Sequence, residues 1–381
     1  MAIQVLKPKY EVEECLAEIR ECLEAGWTGM GFKTEEFEAA WRKYTGVRNA
    51  FFLNSATAGL YLAFDVLRKK LKWENEDEVI TTPLTFVSTN HAILKAGLKP
   101  VFADVDDTFC LDPQSVAEHI TSRTRAVIFV GVGGNAGHLE QIAALCQKRG
   151  IILVLDAAHM SGTLLNGRCP AELADVAVYS FQAVKNLPTA DSGMLCFKDH
   201  AMDEMARKLA WLGINKDTYS RSGDGGTYKW RYDVEYVGEK YHGNSVIAAI
   251  GIVQLRYLDR DNKYRSMLVE RYRQNLSCLE GKISFAEVPD SCLSSNHIFQ
   301  IIVEDRDELL ATLNSKDIYP GVHYIENTEY EMYSYAHGTC PRAEYISAHT
   351  LTLPLHLYLT KEDVDEICSI VIDFVEKRAS R

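Results

Sequence analysis

The chain has 381 residues, of which 47% are hydrophobic and 25% charged, and its formal net charge is −12. This length predicts two domains, or one large domain with an appendage, and the composition is ordinary for a globular protein. The negative charge argues against a general binder of nucleic acid or of anionic membranes, because both need a positive field. A small anionic ligand needs only a local pocket of donors.

Targeting segments and cysteine spacing bear on the cellular setting. The N-terminus has no apolar run long enough for a signal peptide, and no segment approaches the ~20 apolar residues that a membrane helix needs. Ten cysteines occur without a CxxC pair or another metal-binding spacing. We therefore expect a cytoplasmic protein with reduced, mostly buried thiols and no metal site.

Short apolar runs alternate with amphipathic stretches in the first half of the chain. Residues 11–44 are helical in pattern, with a break at residues 26–31 (GWTGMG). Strands are predicted at residues 50–53, 78–82, 100–103, 126–130, 151–155, 176–180 and 194–197. Helices are predicted at residues 57–71, 89–96 and 139–149. This alternation predicts an α/β fold with a mainly parallel central sheet flanked by helices.

The pattern changes after about residue 218. The polar, Gly-rich residues 220–226 (SRSGDGG) are predicted to form a loop, and residues 245–270 a long helix. A strand at residues 297–303 and helices at 306–314 and 360–376 indicate a smaller α+β domain. We expect a large domain at residues 1–250, including the N-terminal helical segment. A linking helix and the small C-terminal domain would occupy residues 251–381.

Polar residues follow three of the predicted strands, and in open parallel sheets ligands bind outside the carboxyl ends of the strands. Residues 54–59 (NSATAG) suit either a phosphate cradle or an ordinary helix N-cap. Asp156 closes the run IILVL and is either a ligand of a metal, a ribose or a cationic ring, or a turn residue. Lys185 follows the strand VAVYS and is either a Schiff-base lysine or a lysine that extends to water.

Together the three places match the needs of one cofactor, pyridoxal 5′-phosphate (PLP). PLP needs an anion site for its phosphate, an acidic partner for its pyridinium nitrogen and a lysine for its aldehyde. The sequence offers all three at strand ends of one α/β domain. A doubly wound nucleotide-binding protein would instead need a GxGxxG fingerprint after the first strand, and NSATAG does not supply it.

Motifs along nearly the whole chain resemble those of the DegT/DnrJ/EryC1 family of sugar aminotransferases, which are fold-type I PLP-dependent transferases. In family order they are GWTGMGFKTEEFE, NSATAGLYLAF, DEVITTPLTFVSTNHAILKAGLKPVFADVD, VLDAAHMSGT, YSFQAVKN and PRAEYISAHTLTLPLHLYLT. The resemblance implies transfer of an amino group from L-glutamate to a keto-sugar, either a nucleotide-linked keto-deoxysugar or a keto-sugar acid. The product would serve lipopolysaccharide or another surface glycan. The resemblance also implies homodimers with shared active sites.

The resemblance assigns roles to residues by position. Lys185 is implied as the Schiff-base lysine and general base, and Asp156 as the partner of the pyridinium nitrogen. The other implied cofactor contacts are Phe86, stacked on the ring, His159, near the ring hydroxyl, and Ala56, Thr57 and Ser180, at the phosphate. The alternatives are a PLP-dependent sugar dehydratase, whose family members carry His in place of the lysine, and a non-catalytic homologue. The intact set of polar site residues argues against both.

Two parts of the sequence depart from many relatives. The segment that the partner subunit borrows reads KYHGN at residues 240–244, so either His242 or Asn244 is expected at the partner's cofactor phosphate. Thr28, His323 and Tyr324 are expected on the substrate side. There, GVGG at residues 131–134 replaces HYAG, and HYIENT at 323–328 replaces HYxPLH. These changes predict an unusual keto-sugar, or one that is bound differently.

Overall fold

The computed structural model describes residues 2–215 and 232–379, so the predicted loop at residues 220–226 lies outside the described part. Its strands are β1 (Ile3–Gln4), β2 (Phe51–Leu53), β3 (Glu78–Thr81), β4 (Lys99–Phe102), β5 (Thr124–Val130), β6 (Ile152–Asp156), β7 (Leu164–Leu165), β8 (Val176–Ser180), β9 (Gly193–Phe197), β10 (Ile283–Phe285), β11 (Cys292–Leu293), β12 (Phe299–Val303), β13 (Ile318–Tyr319) and β14 (Thr350–Leu353). The helices are α1 (Val12–Glu24), α2 (Phe32–Thr45), α3 (Ala56–Leu71), α4 (Val87–Lys95), α5 (Pro113–Glu118), α6 (Leu139–Arg149), α7 (His200–Leu209), α8 (Ser245–Leu276), α9 (Arg306–Asn314), α10 (Pro341–His349) and α11 (Lys361–Ala379).

The central sheet has seven strands in the order β2–β9–β8–β6–β5–β3–β4. The pairs from β8 to β4 are all parallel. β9 runs antiparallel to both of its neighbours, β2 and β8, so β2 points in the same direction as β8. The mainly parallel sheet that the sequence predicts is therefore confirmed.

Both faces of this sheet are buried, as the near-continuous apolar strands require. Along β5, Val127 and Phe129 belong to the core that includes Trp41 of α2. The alternate residue Ile128 belongs to the core on the other face, which includes Leu60 of α3. Helices therefore cover the sheet on both sides, and its carboxyl edge is left for a site.

A second sheet lies in the C-terminal part, where β12 pairs antiparallel with β10 and β14. Its core also contains Leu268, Tyr272 and Leu276 from the second half of α8. The first half of α8 contributes Ala248 and Ile252 to a core of the central sheet. α8 thus links two cores, and we propose that the domain boundary lies near residue 250.

The fold also bears on the expectations about membrane helices and thiols. Within residues 2–215 and 232–379, no helix combines the length and apolarity that a membrane crossing requires. All ten cysteines are free thiols, and all except Cys169 and Cys278 are buried. The expectation of unpaired, mostly buried thiols is confirmed.

Candidate active site

The three predicted strand ends meet at one edge of the central sheet. Because β2, β6 and β8 run in the same direction, Asn54, Asp156 and Ser180 lie at the same carboxyl edge. A cavity of about 450 Å³ opens there. Its lining includes most of the predicted site residues: Ala56, Thr57, Phe86, Asp156, His159, Ser180, Lys185, His323 and Tyr324.

A helix N-terminus forms the first wall of the cavity. Ser55 is the N-cap of α3, and its Oγ accepts a hydrogen bond from Ala58 N–H at 3.1 Å. The N-cap interpretation is therefore right for Ser55. The next two residues, Ala56 and Thr57, line the cavity, and first-turn amides have no acceptor within the helix, so they favour an anion. A Cβ added to Gly193 would lie 2.6 Å from Ala56 N, so only glycine lets this turn approach β9.

Asp156 ends β6 as a buried carboxylate held by two donors. Thr89 Oγ1 donates to its Oδ2 at 2.7 Å, and Ala158 N–H donates to its Oδ1 at 3.1 Å. Burial raises the pKa of Asp156, while these two hydrogen bonds and the charge of Lys185 oppose the rise. A carboxylate fixed in this way suits a cationic ring nitrogen, because a neighbouring positive charge favours its ionised form.

Lys185 lies on the connection between β8 and β9. At the base of this connection, Phe181 N–H donates to Ser192 O at 2.9 Å. Burial lowers the pKa of Lys185 from 10.5 to about 8, although the charge of Asp156 acts in the opposite direction. A lowered pKa increases the neutral fraction of the amine, which is the form that acts as nucleophile and base.

His159 is fixed as one neutral tautomer. Gly133 N–H donates to its Nδ1 at 3.1 Å, so the ring proton lies on Nε2, which is 3.0 Å from Tyr324 Oη. Burial lowers the pKa of His159 well below its ordinary value, and the positive charge of Lys185 lowers it further. His159 therefore donates to Tyr324, and the phenol keeps its own proton for another acceptor.

Aromatic rings complete the cavity wall. The ring centroids of Phe86 and Tyr324 lie 6.2 Å apart. Phe86 is 58% exposed, so its ring is accessible to a flat ligand. His323 Nδ1 lies 2.9 Å from Thr352 Oγ1, and burial lowers the pKa of His323 to about 4. His323 is thus a neutral polar group near pH 7.

The amino-acid sequence matches the model of the DegT/DnrJ/EryC1/StrS aminotransferase family over residues 9–372. The chain belongs to this family. It is 33% identical over 376 residues to the spore coat polysaccharide biosynthesis protein SpsC of Bacillus subtilis, covering 96% of this chain and 95% of that protein. It is 32% identical over 385 residues to the dTDP-4-dehydro-2,3,6-trideoxy-D-glucose 4-aminotransferase of Saccharopolyspora spinosa, covering 100% of this chain and 98% of that protein.

Solved structures of relatives share the whole fold. The aminotransferase TlmJ from Streptoalloteichus hindustanus has a TM-score of 0.90 and 34% identity, covering 99% of this chain and 100% of that chain. The PLP form of Spr1654 from Streptococcus pneumoniae has a TM-score of 0.89 and 26% identity, covering 99% of each chain. Spr1654 is also known in a PMP form. This chain is therefore a PLP-dependent sugar aminotransferase of fold type I.

The cavity residues fit this cofactor. The buried carboxylate of Asp156, held by two hydrogen-bond donors, matches a cationic ring nitrogen. The amine of Lys185, whose pKa is lowered to about 8, matches an aldehyde. The first-turn amides of Ala56 and Thr57 match a phosphate, and the accessible ring of Phe86 matches a flat pyridine.

The segment HYIENT at residues 323–328, which departs from the family pattern, turns into the protein interior at its end. Glu326, Asn327 and Thr328 are all buried, although the two residues before Ile325 line the cavity. Asn327 Oδ1 accepts from Asn90 Nδ2 at 2.8 Å, and Asn327 Nδ2 donates to Thr85 O at 2.7 Å. The altered stretch therefore supports the cavity wall from behind. At the other departure, the backbone of the GVGG segment fixes the ring of His159.

Three predicted site residues lie outside the cavity of their own chain. Thr28 is exposed, and its carbonyl oxygen accepts from Ser245 N–H at 3.2 Å. His242 lies beside Trp211, with ring centroids 4.6 Å apart. Asn244 is the N-cap of α8, and its Oδ1 accepts from the first turn of that helix. Within one chain these residues do not join the site, so their roles toward a partner subunit stay predictions.

Two residues of the site were not identified from the sequence. Thr89 binds Asp156 from α4, and the hydroxyl-rich stretch TFVST was the available signal. His297 places its Nε2 3.5 Å from Lys185 Nζ. It stands only two residues before β12, far along the chain from Lys185, so spacing gave no signal for it.

Proposed function

We propose that this enzyme transfers an amino group from L-glutamate to a keto-sugar in the cytoplasm, for surface glycan or lipopolysaccharide biosynthesis. The proposed acceptor is a nucleotide-linked keto-deoxysugar or a keto-sugar acid. The observation that carries the proposal is the pairing, in one cavity, of a fixed buried carboxylate, Asp156, with a buried lysine of lowered pKa, Lys185. Two relatives support the sugar class, since one is named for spore coat polysaccharide and the other for a dTDP-linked keto-sugar.

The proposed chemistry divides between two side chains. When bound, PLP supplies the electron sink for the bond that loses its proton. Lys185 Nζ takes that proton from the α-carbon of the amino donor, which requires the neutral amine that burial favours. Asp156, held by Thr89 and Ala158, keeps the ring nitrogen protonated. Release of one product before the second substrate enters predicts ping-pong kinetics.

The remaining predicted contacts orient the cofactor. The amides of Ala56 and Thr57, the hydroxyl of Thr57 and that of Ser180 would hold the phosphate, because all of them line the same cavity. His159 would lie near the ring hydroxyl as a neutral ring, since its Nδ1 accepts from the backbone and its Nε2 contacts Tyr324. Phe86 would stack on the ring. These roles rest on position in the cavity and on family resemblance.

We further propose a homodimer in which each subunit completes the site of the other. His242 and Asn244 are the candidates for the partner's phosphate. Asn244 Oδ1 is used in capping α8, so a phosphate contact from this residue would come from the Nδ2 donor. Thr28, which lies next to the start of α8, would reach the substrate side of the partner's site.

A two-step absorbance experiment tests the proposed reaction. L-Glutamate added to the PLP form should remove the visible absorbance of the lysine-bound cofactor and release 2-oxoglutarate. A panel of nucleotide-linked keto-deoxysugars and keto-sugar acids is then added to the pyridoxamine form, and one member should restore the absorbance. No response to glutamate would contradict the proposed donor, and restoration only by simple keto acids would contradict the sugar acceptor.

A further inference from the structure

A buried histidine contacts the amine of Lys185 from the protein side. His297 is 2% exposed, and its Nε2 lies 3.5 Å from Lys185 Nζ. His297 does not line the cavity that Lys185 lines, so it contacts the lysine from the buried side. A polar group behind a reactive amine can control where its hydrogens and its lone pair point.

The side chain of Asn186 decides which nitrogen of His297 carries the proton. Asn186 Nδ2 donates to Asn262 Oδ1 and to the carbonyl oxygen of Ser295, both at 2.7 Å. A carbonyl oxygen only accepts, which fixes the orientation of the amide. Asn186 Oδ1 therefore faces His297 Nδ1, at 2.9 Å, as an acceptor. The proton of a neutral His297 lies on Nδ1, and Nε2 presents a lone pair to Lys185.

The surroundings of His297 keep this ring neutral. Burial lowers the pKa of His297 well below its ordinary value, and the positive charges of Lys185 and Arg265 act in the same direction. The ring of His159 is close, with centroids 4.3 Å apart. Nε2 therefore stays an acceptor over the pH range in which the amine of Lys185 titrates.

We propose that His297 is a positioning residue for Lys185. When the amine is not bonded to the cofactor, one of its N–H bonds points to His297 Nε2, which keeps its lone pair and its second N–H on the sides that face away from His297. Hydrogen bonds to Asn262 and Ser295 fix the side chain of Asn186, and Asn186 in turn holds His297 so that its Nε2 stays next to the amine. The inference rests on the proposed role of Lys185 as the cofactor lysine.

Two substitutions of His297 separate positioning from packing. His297→Asn places its amide where Nδ1 was, so it keeps a partner for Asn186 and loses the acceptor next to Lys185. His297→Gln extends its amide to the place of Nε2 and keeps that acceptor. The readout is competitive acetylation of the cofactor-free protein across pH, with the Lys185 peptide quantified by mass spectrometry. The second readout is the rate of the glutamate step in the loaded enzyme.

The expected result is a difference between the two variants. An acceptor stabilises an ammonium more than an amine, so its loss should lower the apparent pKa of Lys185 by roughly half a unit to one unit. The Asn variant should show this shift and about a tenfold slower glutamate step, because the amine is no longer oriented. The Gln variant should resemble the wild type in the apparent pKa of Lys185 and in the rate of the glutamate step.

Equal behaviour of the Asn and Gln variants, or an Asn profile that overlays the wild type, would overturn the proposal. If the Asn variant does not fold, His297→Met replaces it, since Met resembles Gln in length and lacks a strong acceptor. The acetylation needs no donor or sugar, so its outcome is independent of the proposed reaction. Failure of that reaction would instead appear as a wild-type enzyme that does not respond to glutamate.

Discussion

Replacing Thr89 with Val removes one of the two donors that hold the Asp156 carboxylate. Thr89 is fully buried, its Oγ1 donates to Asp156 Oδ2 at 2.7 Å, and Val has nearly the same shape. A hydrogen bond to a charged group contributes about 1.5–3 kcal/mol, so its loss should raise the pKa of Asp156 further. The carboxylate would then pair less well with the ring nitrogen, and PLP affinity should fall roughly 10- to 100-fold.

Spectroscopic titration of the cofactor-free variant with PLP measures this loss. The matched control is Thr89→Ser, which keeps the hydroxyl. Thr85→Val is a second comparison, because Thr85 Oγ1 lies 3.0 Å from Thr89 Oγ1 and can only donate to it once Thr89 donates to the carboxylate. The loss of PLP affinity in Thr85→Val should be smaller than the loss in Thr89→Val. Wild-type affinity and turnover in Thr89→Val, or an equal loss of affinity in the Ser variant, would show that the Thr89 hydroxyl does not hold the carboxylate for the cofactor.

Three other changes probe the same cavity. Asp156→Asn removes the charge and should lower kcat by roughly 100-fold or more, as steady-state assays with glutamate would show. Gly193→Ala forces a Cβ to 2.6 Å from Ala56 N and should weaken PLP binding by roughly tenfold, whereas Gly29→Ala, which meets nothing within 4 Å, should not. In the cofactor-free protein the contribution of Lys185 to the free energy of unfolding should rise with pH between about 8 and 10.5, because there the unfolded chain still holds the Lys185 proton and the native chain does not. Urea titrations at several pH values should show this contribution as the difference between the wild type and Lys185→Met.

The sequence located the parts of the site that follow strands. Asp156 and Lys185 stand beside apolar runs whose period and composition identify strands, and parallel strands bring their carboxyl ends to one edge. Ser55 was ambiguous because an N-cap and a phosphate turn use the same residue types. The structure resolves this locally: Ser55 caps α3, and Thr57 lines the cavity.

The partners of these residues could not be predicted from local pattern. Thr89 and His297 reach the site from α4 and from the segment before β12, and contact over such sequence distances depends on tertiary packing. The helix at Pro341–His349 was missed as an element, although Pro at its first turn was a start signal. The altered substrate segment was expected to line the sugar end. Asn327 instead binds Asn90 in the interior.

The central claim is that Lys185 is the residue that binds PLP covalently. Borohydride reduction of the loaded enzyme makes the bond between lysine and cofactor permanent, and peptide mass mapping then identifies the lysine. The added cofactor mass is expected on the peptide that contains Lys185 and should be lost in Lys185→Arg. Cofactor mass on another lysine, or labelling unchanged in the Arg variant, would contradict the claim.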